Sequence, residues 1–175
     1  MAIFILNITE RNGNKMIEVW TDGACSNNGA KNAVGGWAYI IKQDGLLSSY
    51  SHGEQNTTNN RCEYLAMLNG LRSAEDRASP FEEIVCYSDS ALLINTMNSW
   101  IFNWERNGWQ RKTGPIKNLD LVKELHRYAV DPRFTFRKVA GHAGVEMNEQ
   151  CDKLAVEAKK QLTEKIRNTH EGSNY

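Results

Sequence analysis

Residues 17–25 read Ile-Glu-Val-Trp-Thr-Asp-Gly-Ala-Cys, in which a largely apolar run leads into an acid and a glycine. The β-branched and aromatic residues at 17–21 predict a strand. Ser-Asn-Asn-Gly at 26–29 follows and predicts a polar turn. Asp22 falls within or at the end of this strand. The first strand therefore brings a carboxylate to the sheet.

The residues that follow predict two further strands joined by short turns. Gly35-Gly36 precede an apolar run at 37–41, which predicts the second strand. Asp44-Gly45 is a strong hairpin signal, because glycine accepts the positive φ that such turns require. A third strand is expected at about 46–52. Three consecutive strands with short turns make an antiparallel meander.

The rest of the chain alternates helices with strands. Asn59 or Asn60 can cap a helix that runs to about Ser73, and its apolar residues recur at helical spacing. Further strands are predicted at 84–87 and 134–139. Other helices are predicted after Ser88-Asp89-Ser90, after Pro115 or Asn118, and over 148–162. The order βββ-α-β-α-α-β-α predicts an α/β fold with a five-stranded mixed sheet, three antiparallel strands and then parallel ones, flanked by helices.

Composition places the chain among soluble globular domains. It has 175 residues, of which 41% are apolar and 24% charged, as is typical of one domain with a hydrophobic core. Apolar runs such as 37–41 are too short to cross a bilayer, so no membrane association is expected. Residues 1–8 lack the basic start and cleavage site of a secretory signal. The four cysteines have no zinc-type spacing, which favours reduced thiols and a cytoplasmic location. A monomer is the default expectation.

The charges are distributed unevenly although the formal net charge is zero. Between Trp104 and Lys117 four basic residues face a single acid, Glu105. Acidic residues elsewhere recur singly at the ends of apolar runs. A basic patch together with isolated acids is the combination that a metal-dependent nuclease requires.

Four acids share positions where helices begin or strands end. Carboxylates that converge there repel one another unless cations are present. Mg²⁺ prefers oxygen ligands, and two such ions can bind both the attacking and the leaving oxygen of a phosphodiester. Taken singly, an Asp at a strand end is more often a turn former or helix cap. Glu146 and Glu149 lie as near to His142 as Asp152 does, so spacing alone does not choose among these three. The four acids are Asp22, Glu63, Asp89 and Asp152.

Five ordered motifs resemble those of type 1 ribonuclease H, and the likeness covers about residues 17–160. It also takes in the tryptophan-rich segment at 100–109 and Lys117-Asn118-Leu119-Asp120-Leu121. Any one of the motifs would be weak evidence, whereas five in the same order are strong. The motifs are Asp22-Gly23-Ala24-Cys25, Thr58-Asn59-Asn60-Arg61-Cys62-Glu63, Ser88-Asp89-Ser90, Gly141-His142-Ala143-Gly144 and Asn148-Glu149-Gln150-Cys151-Asp152.

This resemblance implies an endoribonuclease that hydrolyses the RNA strand of RNA–DNA hybrids without marked sequence specificity. The four acids would bind two Mg²⁺ ions, with Mn²⁺ as a possible substitute. Asp89 would help to activate a water molecule, and the products would carry 5′-phosphate and 3′-hydroxyl ends. His142, on a mobile loop, would assist by proton transfer or product release, and its ordinary pKa near neutrality suits that role.

Substrate contacts follow from the same resemblance. Amide side chains suit 2′-hydroxyl and minor-groove contacts, although Asn is also a common turn residue. The tryptophans are equally well explained as the core of a basic handle at about 100–117. Ala91 stands where the family often has Gln, which puts one RNA contact in doubt. The expected contacts are Asn28, Thr58, Asn59, Asn60, Trp100, Trp104, Arg106, Arg111 and Lys112.

Two other functions fit parts of the pattern. The first is a hybrid-binding module that no longer cuts, although retention of the four acids and His142 argues against it. The second is a transposase-like or integrase-like nuclease, which would lack the Asn59-Asn60 pair and the tryptophan-rich handle. The expected domain organisation is an extension at 1–15, a catalytic domain at 16–162 and a flexible tail at 163–175.

Overall fold

A single five-stranded sheet organises the chain. The computed structural model describes residues 16–141 and 145–171. The predicted extension at 1–15, His142 and the last four residues of the predicted tail lie outside these ranges. The strands are β1 (Met16–Ser26), β2 (Val34–Gln43), β3 (Leu46–Gln55), β4 (Glu83–Ser88) and β5 (Phe134–Lys138), in the spatial order β3-β2-β1-β4-β5.

The sheet is mixed, as the sequence predicts. β1 pairs antiparallel with β2, and β2 pairs antiparallel with β3. β1 pairs parallel with β4, and β4 with β5. The β2–β3 turn is Asp44-Gly45, where φ is 51° and 76°, which confirms the hairpin signal. β1 is longer than expected and continues through Asp22 to Ser26, because its second half, from Asp22 to Ser26, pairs with residues 34–38 of β2.

In the described part of the chain, five α-helices accompany the sheet: α1 (Asn59–Glu75), α2 (Ala91–Asn95), α3 (Ile101–Arg106), α4 (Leu119–Ala129) and α5 (Glu146–Glu171). A π-helical turn, Thr96–Trp100, joins α2 to α3. The main core lies between the sheet and α1, α2 and α4, and includes Ile17, Met67 and Leu125. A smaller cluster around Trp20 and Cys151 lies beneath α5 on the other face. Among the described residues, no helix is both long and apolar enough to span a membrane.

The N-cap of α1 corrects one expectation. The capping side chain is that of Thr58, whose hydroxyl accepts the backbone N–H of Arg61 at 3.1 Å, and not that of Asn59 or Asn60. Both asparagines are instead the first residues of the helix. Thr58 has extended backbone angles, φ −127° and ψ 162°, which direct its side chain toward the free N–H groups of the first turn.

α5 begins two residues before the predicted start and ends nine residues after the predicted end at 162. Residues 163–171 are thus helical where a tail was expected. The reason lies in the packing. The helix lies so close to the sheet that a Cβ on Gly36 would stand 2.1 Å from the carbonyl oxygen of Ala155, and one on Gly53 would stand 2.7 Å from Cβ of Leu162. This contact holds the helix over β2 and β3 and supports its later turns.

The four cysteines are free thiols, as the sequence predicts. Cys62, Cys86 and Cys151 are buried, and Cys25 is half-buried at the end of β1. Cys151 Sγ contacts the carbonyl oxygens of Trp20 and Ala38 at 3.4 and 3.3 Å. Its thiol thereby ties the first turns of α5 to β1 and β2.

Candidate active site

Three carboxylates meet just beyond the point where the parallel pairing of β1 with β4 ends. Asp22 lies within β1, Asp89 directly follows β4, and Glu63 lies in the second turn of α1. One carboxylate oxygen from each lies within 4.8 Å of the other two. Asp22 and Glu63 are each only 5% exposed, whereas Asp89 is half-buried. Burial of unpaired acids is costly, so this convergence points to a positively charged ligand.

Strand register explains why Asp22 and Asp89 meet. Trp20 pairs with Tyr87 across the parallel β1–β4 ladder, so the residues two further along each strand lie at the same level. Ser88 is the last residue of β4, and its hydroxyl accepts the N–H of Ser90 at 3.1 Å. The hydroxyl of Ser90 then caps α2 by accepting the N–H of Leu93. The strand end and the helix cap together hold Asp89 between them.

Glu63 reaches the group because α1 approaches β1 closely at Gly23. A Cβ at that position would stand 2.6 Å from the backbone nitrogen of Glu63 and 2.7 Å from the carbonyl carbon of Cys62. Only glycine permits this approach. The N–H of Gly23 also donates to Oδ1 of Asp22 at 2.9 Å. Gly23 therefore positions both buried acids.

Asp152 is the acid of α5 that interacts with this cluster. The charge of its carboxylate contributes to the raised pKa of Asp22, although Asp152 is not one of the three acids whose oxygens lie within 4.8 Å of one another. Glu146 instead accepts a hydrogen bond from Gln150 on the exposed surface of the helix at 3.1 Å.

Ionising the carboxylates of this cluster is unfavourable when no cation is bound. Burial, and then the charge of Asp89, raises the pKa of Asp22 to about 7. Burial, and then the charges of Asp22 and Asp89, raises the pKa of Glu63 well above its usual value. Both shifts arise because ionised carboxylates here lose solvent and repel one another. A bound divalent cation would offset both the lost solvation and the repulsion between the carboxylates.

The donor set fits a hard divalent metal ion. Oε2 of Glu63 is buried and has no hydrogen-bond donor among the residues that the structure describes. All the converging ligands are carboxylate oxygens, which Mg²⁺ and similar ions prefer. A buried acceptor without a donor, beside two further carboxylates, is the arrangement that a cation completes.

Comparison with known proteins agrees with this geometry. A sequence model of the family described as RNase H matches residues 14–160. The chain belongs to the ribonuclease H family. A ribonuclease H of Rhodopirellula baltica is 39% identical over 153 residues, covering 84% of this chain and 92% of the relative. One from Caldanaerobacter subterraneus subsp. tengcongensis is 40% identical over 150 residues, with 84% and 93% covered.

A solved structure extends the likeness to the fold of this ribonuclease H. The crystal structure of LC9-RNase H1, a type 1 enzyme with the type 2 active-site motif, superposes with a TM-score of 0.72 at 28% identity. The match covers 87% of this chain and 75% of that one. The type 1 family and the mixed-sheet fold expected from the motifs are thereby confirmed, and with the carboxylate cluster they indicate an enzyme that uses divalent metal ions.

The loop expected to carry His142 begins beside the acids. His142 itself lies outside the described residues. Gly141 is described, and a Cβ built on it would stand 3.1 Å from Oδ2 of Asp89. A larger residue at this position would therefore press on the Asp89 carboxylate.

The predicted RNA-contacting residues lie together beside the acids. Oδ1 of Asn28 accepts the backbone N–H of Asn59 at 2.9 Å, and this bond joins the β1–β2 loop to the start of α1. Thr58 caps the same helix. Asn28 and Thr58 thus have structural roles that also fix the place of Asn59.

The handle residues form a cleft on the other side of the start of α1. The cleft has a volume of 470 Å³, and Trp100 and Trp104 line it with ring centroids 6.2 Å apart. Arg111 and Lys112 line it as well. Arg106 is not among its lining residues and donates instead to the side chain of Asn103. Tyr64 and Asn118 also line the cleft, although the sequence did not identify them as site residues. The position of Tyr64 directly after Glu63 is a signal that could have identified it.

Proposed function

We propose that this ribonuclease H hydrolyses the RNA strand of RNA–DNA hybrids, using two Mg²⁺ ions held by Asp22, Glu63, Asp89 and Asp152. The observation that supports the proposal most strongly is the meeting of three carboxylates within 4.8 Å, two of them buried. When bound, the ions would supply an activated water molecule and stabilise the departing 3′-oxygen. The products would then carry 5′-phosphate and 3′-hydroxyl ends.

The protein's own groups divide the remaining work. Asp22 and Glu63 are fixed by Gly23 and by burial, so they suit permanent ligands. Asp89 is half-exposed, so it can contact both a ligand and an incoming water molecule. Gly141 lies beside Asp89, and His142, the next residue in the sequence, would exchange a proton with solvent near neutral pH.

The protein would select a hybrid because different residues contact its RNA strand and its DNA strand. Asn28, Asn59 and Asn60 offer amides that can donate to and accept from a 2′-hydroxyl, which only the RNA strand carries. The handle cleft, with Trp100, Trp104, Arg111 and Lys112, would hold the DNA strand through phosphates and apolar sugar contacts. Since such contacts read no base edges, cleavage would show little sequence preference.

The test is cleavage of an RNA–DNA hybrid with a label at one end of the RNA. Purified protein is assayed with Mg²⁺, with Mn²⁺ and with EDTA, and duplex RNA and duplex DNA serve as controls. We expect metal-dependent cutting of the RNA strand in the hybrid alone. His142→Ala should slow turnover without abolishing it, because the ligand set remains. Hybrid that is bound but stays intact with either metal would refute hydrolysis and favour a module that only binds.

A further inference from the structure

The last three turns of α5 carry a cluster of positive charge that the proposed active site does not use. Residues 159–170 contain Lys159, Lys160, Lys165 and Arg167 against one acid, Glu164, in a chain with no formal net charge. Arg167 is exposed and forms no ion pair with the residues described, 16–141 and 145–170. An unpaired guanidinium on a surface is available to an anionic ligand.

Helical spacing turns part of this charge toward the β1–β2 loop. Lys159, Thr163 and Arg167 are four residues apart and share one side of α5. Thr163 and Arg167 line a cleft of 320 Å³ together with Ser26 at the end of β1 and with Asn27 and Asn32 of that loop. Partial burial raises the pKa of the Cys25 thiol, and the nearby Lys159 ammonium partly offsets the rise. Lys159 is therefore close to the end of β1, where the loop begins.

The loop that forms the opposite wall is held in one shape. The N–H of Ala30 donates to the carbonyl of Asn27 at 2.9 Å, and the N–H of Ala33 donates to that of Ala30 at 3.1 Å. Asn27 and Asn32 both have positive φ, 53° and 71°, which asparagine tolerates better than most residues. Their amides lie at the cleft and can donate and accept hydrogen bonds.

The cleft continues from the proposed RNA-contacting residues. Asn28 lies on the same loop and is bonded to Asn59 at the start of α1. Ser26 lies four residues beyond Asp22 on β1, which is about 13 Å at ~3.3 Å per residue. A strand that passes from the acids over Asn28 would next meet this cleft. The handle cleft, in contrast, is lined by Asn60 and Tyr64 on α1, so the first turns of α1 lie between the two clefts.

We propose that Lys159, Thr163 and Arg167, together with Asn27 and Asn32, form a phosphate-binding surface for the RNA strand beyond the cleavage site. We name these five residues the α5 surface. Its assignment to the RNA strand depends on the proposed function of this ribonuclease H. It lies on the RNA side of the start of α1, and its amides suit 2′-hydroxyls. It would lengthen the contact with RNA on one side of the cut and would leave the DNA strand to the handle.

The test compares hybrids that differ only in a single-stranded extension. The extension is RNA at the 5′ end, RNA at the 3′ end, or DNA, and each is joined to the same short hybrid. We expect an RNA extension of one polarity to raise kcat/KM, and the DNA extension to have no such effect. Arg167→Glu should remove the gain, with a Kd for the extended hybrid about three- to tenfold higher and a salt slope smaller by about 1.

Lys165→Glu is the matched control. It makes the same charge change on the same helix, but Lys165 lines a different groove beside Gln55, so the gain should persist. Equal gains from RNA and DNA extensions, or a gain that survives Arg167→Glu, would overturn the α5 surface. Anisotropy of labelled hybrids in EDTA reports binding when nothing is cut. Failure to cut any hybrid would therefore count against the proposed hydrolysis alone.

Discussion

The backbone nitrogen of Glu63 lies 2.6 Å from the point where a Cβ on Gly23 would stand. Two main-chain segments therefore meet with no room for a side chain. The residues on either side of this contact are the two buried acids, Asp22 and Glu63. The distance between these two acids depends on the absence of a side chain at Gly23. A substitution at Gly23 therefore tests the contact.

Gly23→Ala should damage both stability and metal binding. The added methyl would force β1 and α1 apart, at a cost of about 2–4 kcal/mol in the free energy of unfolding. Urea unfolding and Mg²⁺ titration by calorimetry measure the two effects. Gly45→Ala is the control, because it lies in the β2–β3 turn with φ 76° and open space around it. It should cost about 1 kcal/mol through backbone strain and leave metal binding intact. An unaffected metal affinity in Gly23→Ala would contradict this account.

Asp22→Asn and Asp89→Asn should abolish cleavage and leave hybrid binding largely intact. Without metal, Asp22→Asn should also stabilise the protein by about 1–4 kcal/mol at about pH 8, because it removes a buried charge whose pKa is raised from 3.8 to about 7. The amide oxygen can still accept the N–H of Gly23. Denaturation in EDTA and single-turnover cleavage measure these effects. Cleavage by Asp89→Asn at the wild-type rate would refute the proposed metal cluster.

The metal-free protein should lose stability as pH rises through about 7. The unfolded chain ionises Asp22 near its usual pKa of 3.8, whereas the fold raises that pKa to about 7 and raises the pKa of Glu63 as well. The folded state therefore holds more protons, and deprotonation favours unfolding. Metal binding must displace these protons, so Mg²⁺ should bind more tightly at about pH 8 than at about pH 6.

Melting temperatures with Mg²⁺ and with EDTA, taken at both pH values, measure this linkage. The stabilisation by Mg²⁺ should be larger at the higher pH. The same measurement on Asp22→Asn is the control, because that variant lacks the carboxyl whose pKa the fold raises to about 7. An equal metal effect at both pH values in the wild-type protein would show that the raised pKa values are not coupled to metal binding.

Arg111 and Lys112 should contribute differently to hybrid binding although they are neighbours in the handle. The Arg111 guanidinium donates to the carbonyl oxygens of Gly114 and Pro115, both at 3.0 Å, so it also holds the loop. Lys112→Ala should lower the salt slope of hybrid binding by about 1. Arg111→Ala should weaken binding further by loosening the loop. Anisotropy across a salt series separates them, and identical effects would contradict the structural role of Arg111.

Thr96→Val should destabilise the fold by about 1–3 kcal/mol, which is the cost of a buried polar group left without its partner. The Thr96 hydroxyl is fully buried, bonds to the Tyr64 hydroxyl at 2.9 Å and donates to the Leu92 carbonyl at 2.8 Å. Thr96→Ser keeps these bonds and should cost less. Urea unfolding ranks the variants. A valine variant as stable as the serine variant would show that the bond to Tyr64 contributes little.

Local sequence determined much of the fold. The strand composition at 17–21, the Asp44-Gly45 turn and the helical spacing after Asn59 each specify a local geometry that tertiary packing did not override. These features suffice for the element order and the mixed sheet. The ordered motifs also identified the family, because they sample several distant parts of the chain at once.

Tertiary structure decided what depends on contacts between distant residues. Only packing shows that Asp22, Glu63 and Asp89 bring carboxylate oxygens within 4.8 Å of one another, since the three residues are far apart in the sequence. Gly36 on β2 lies very close to Ala155 on α5. This packing supports a helix that continues beyond its predicted end at residue 162. A helix end or a ligand set is fixed by what lies across from it in space, and periodicity along the chain does not contain that information.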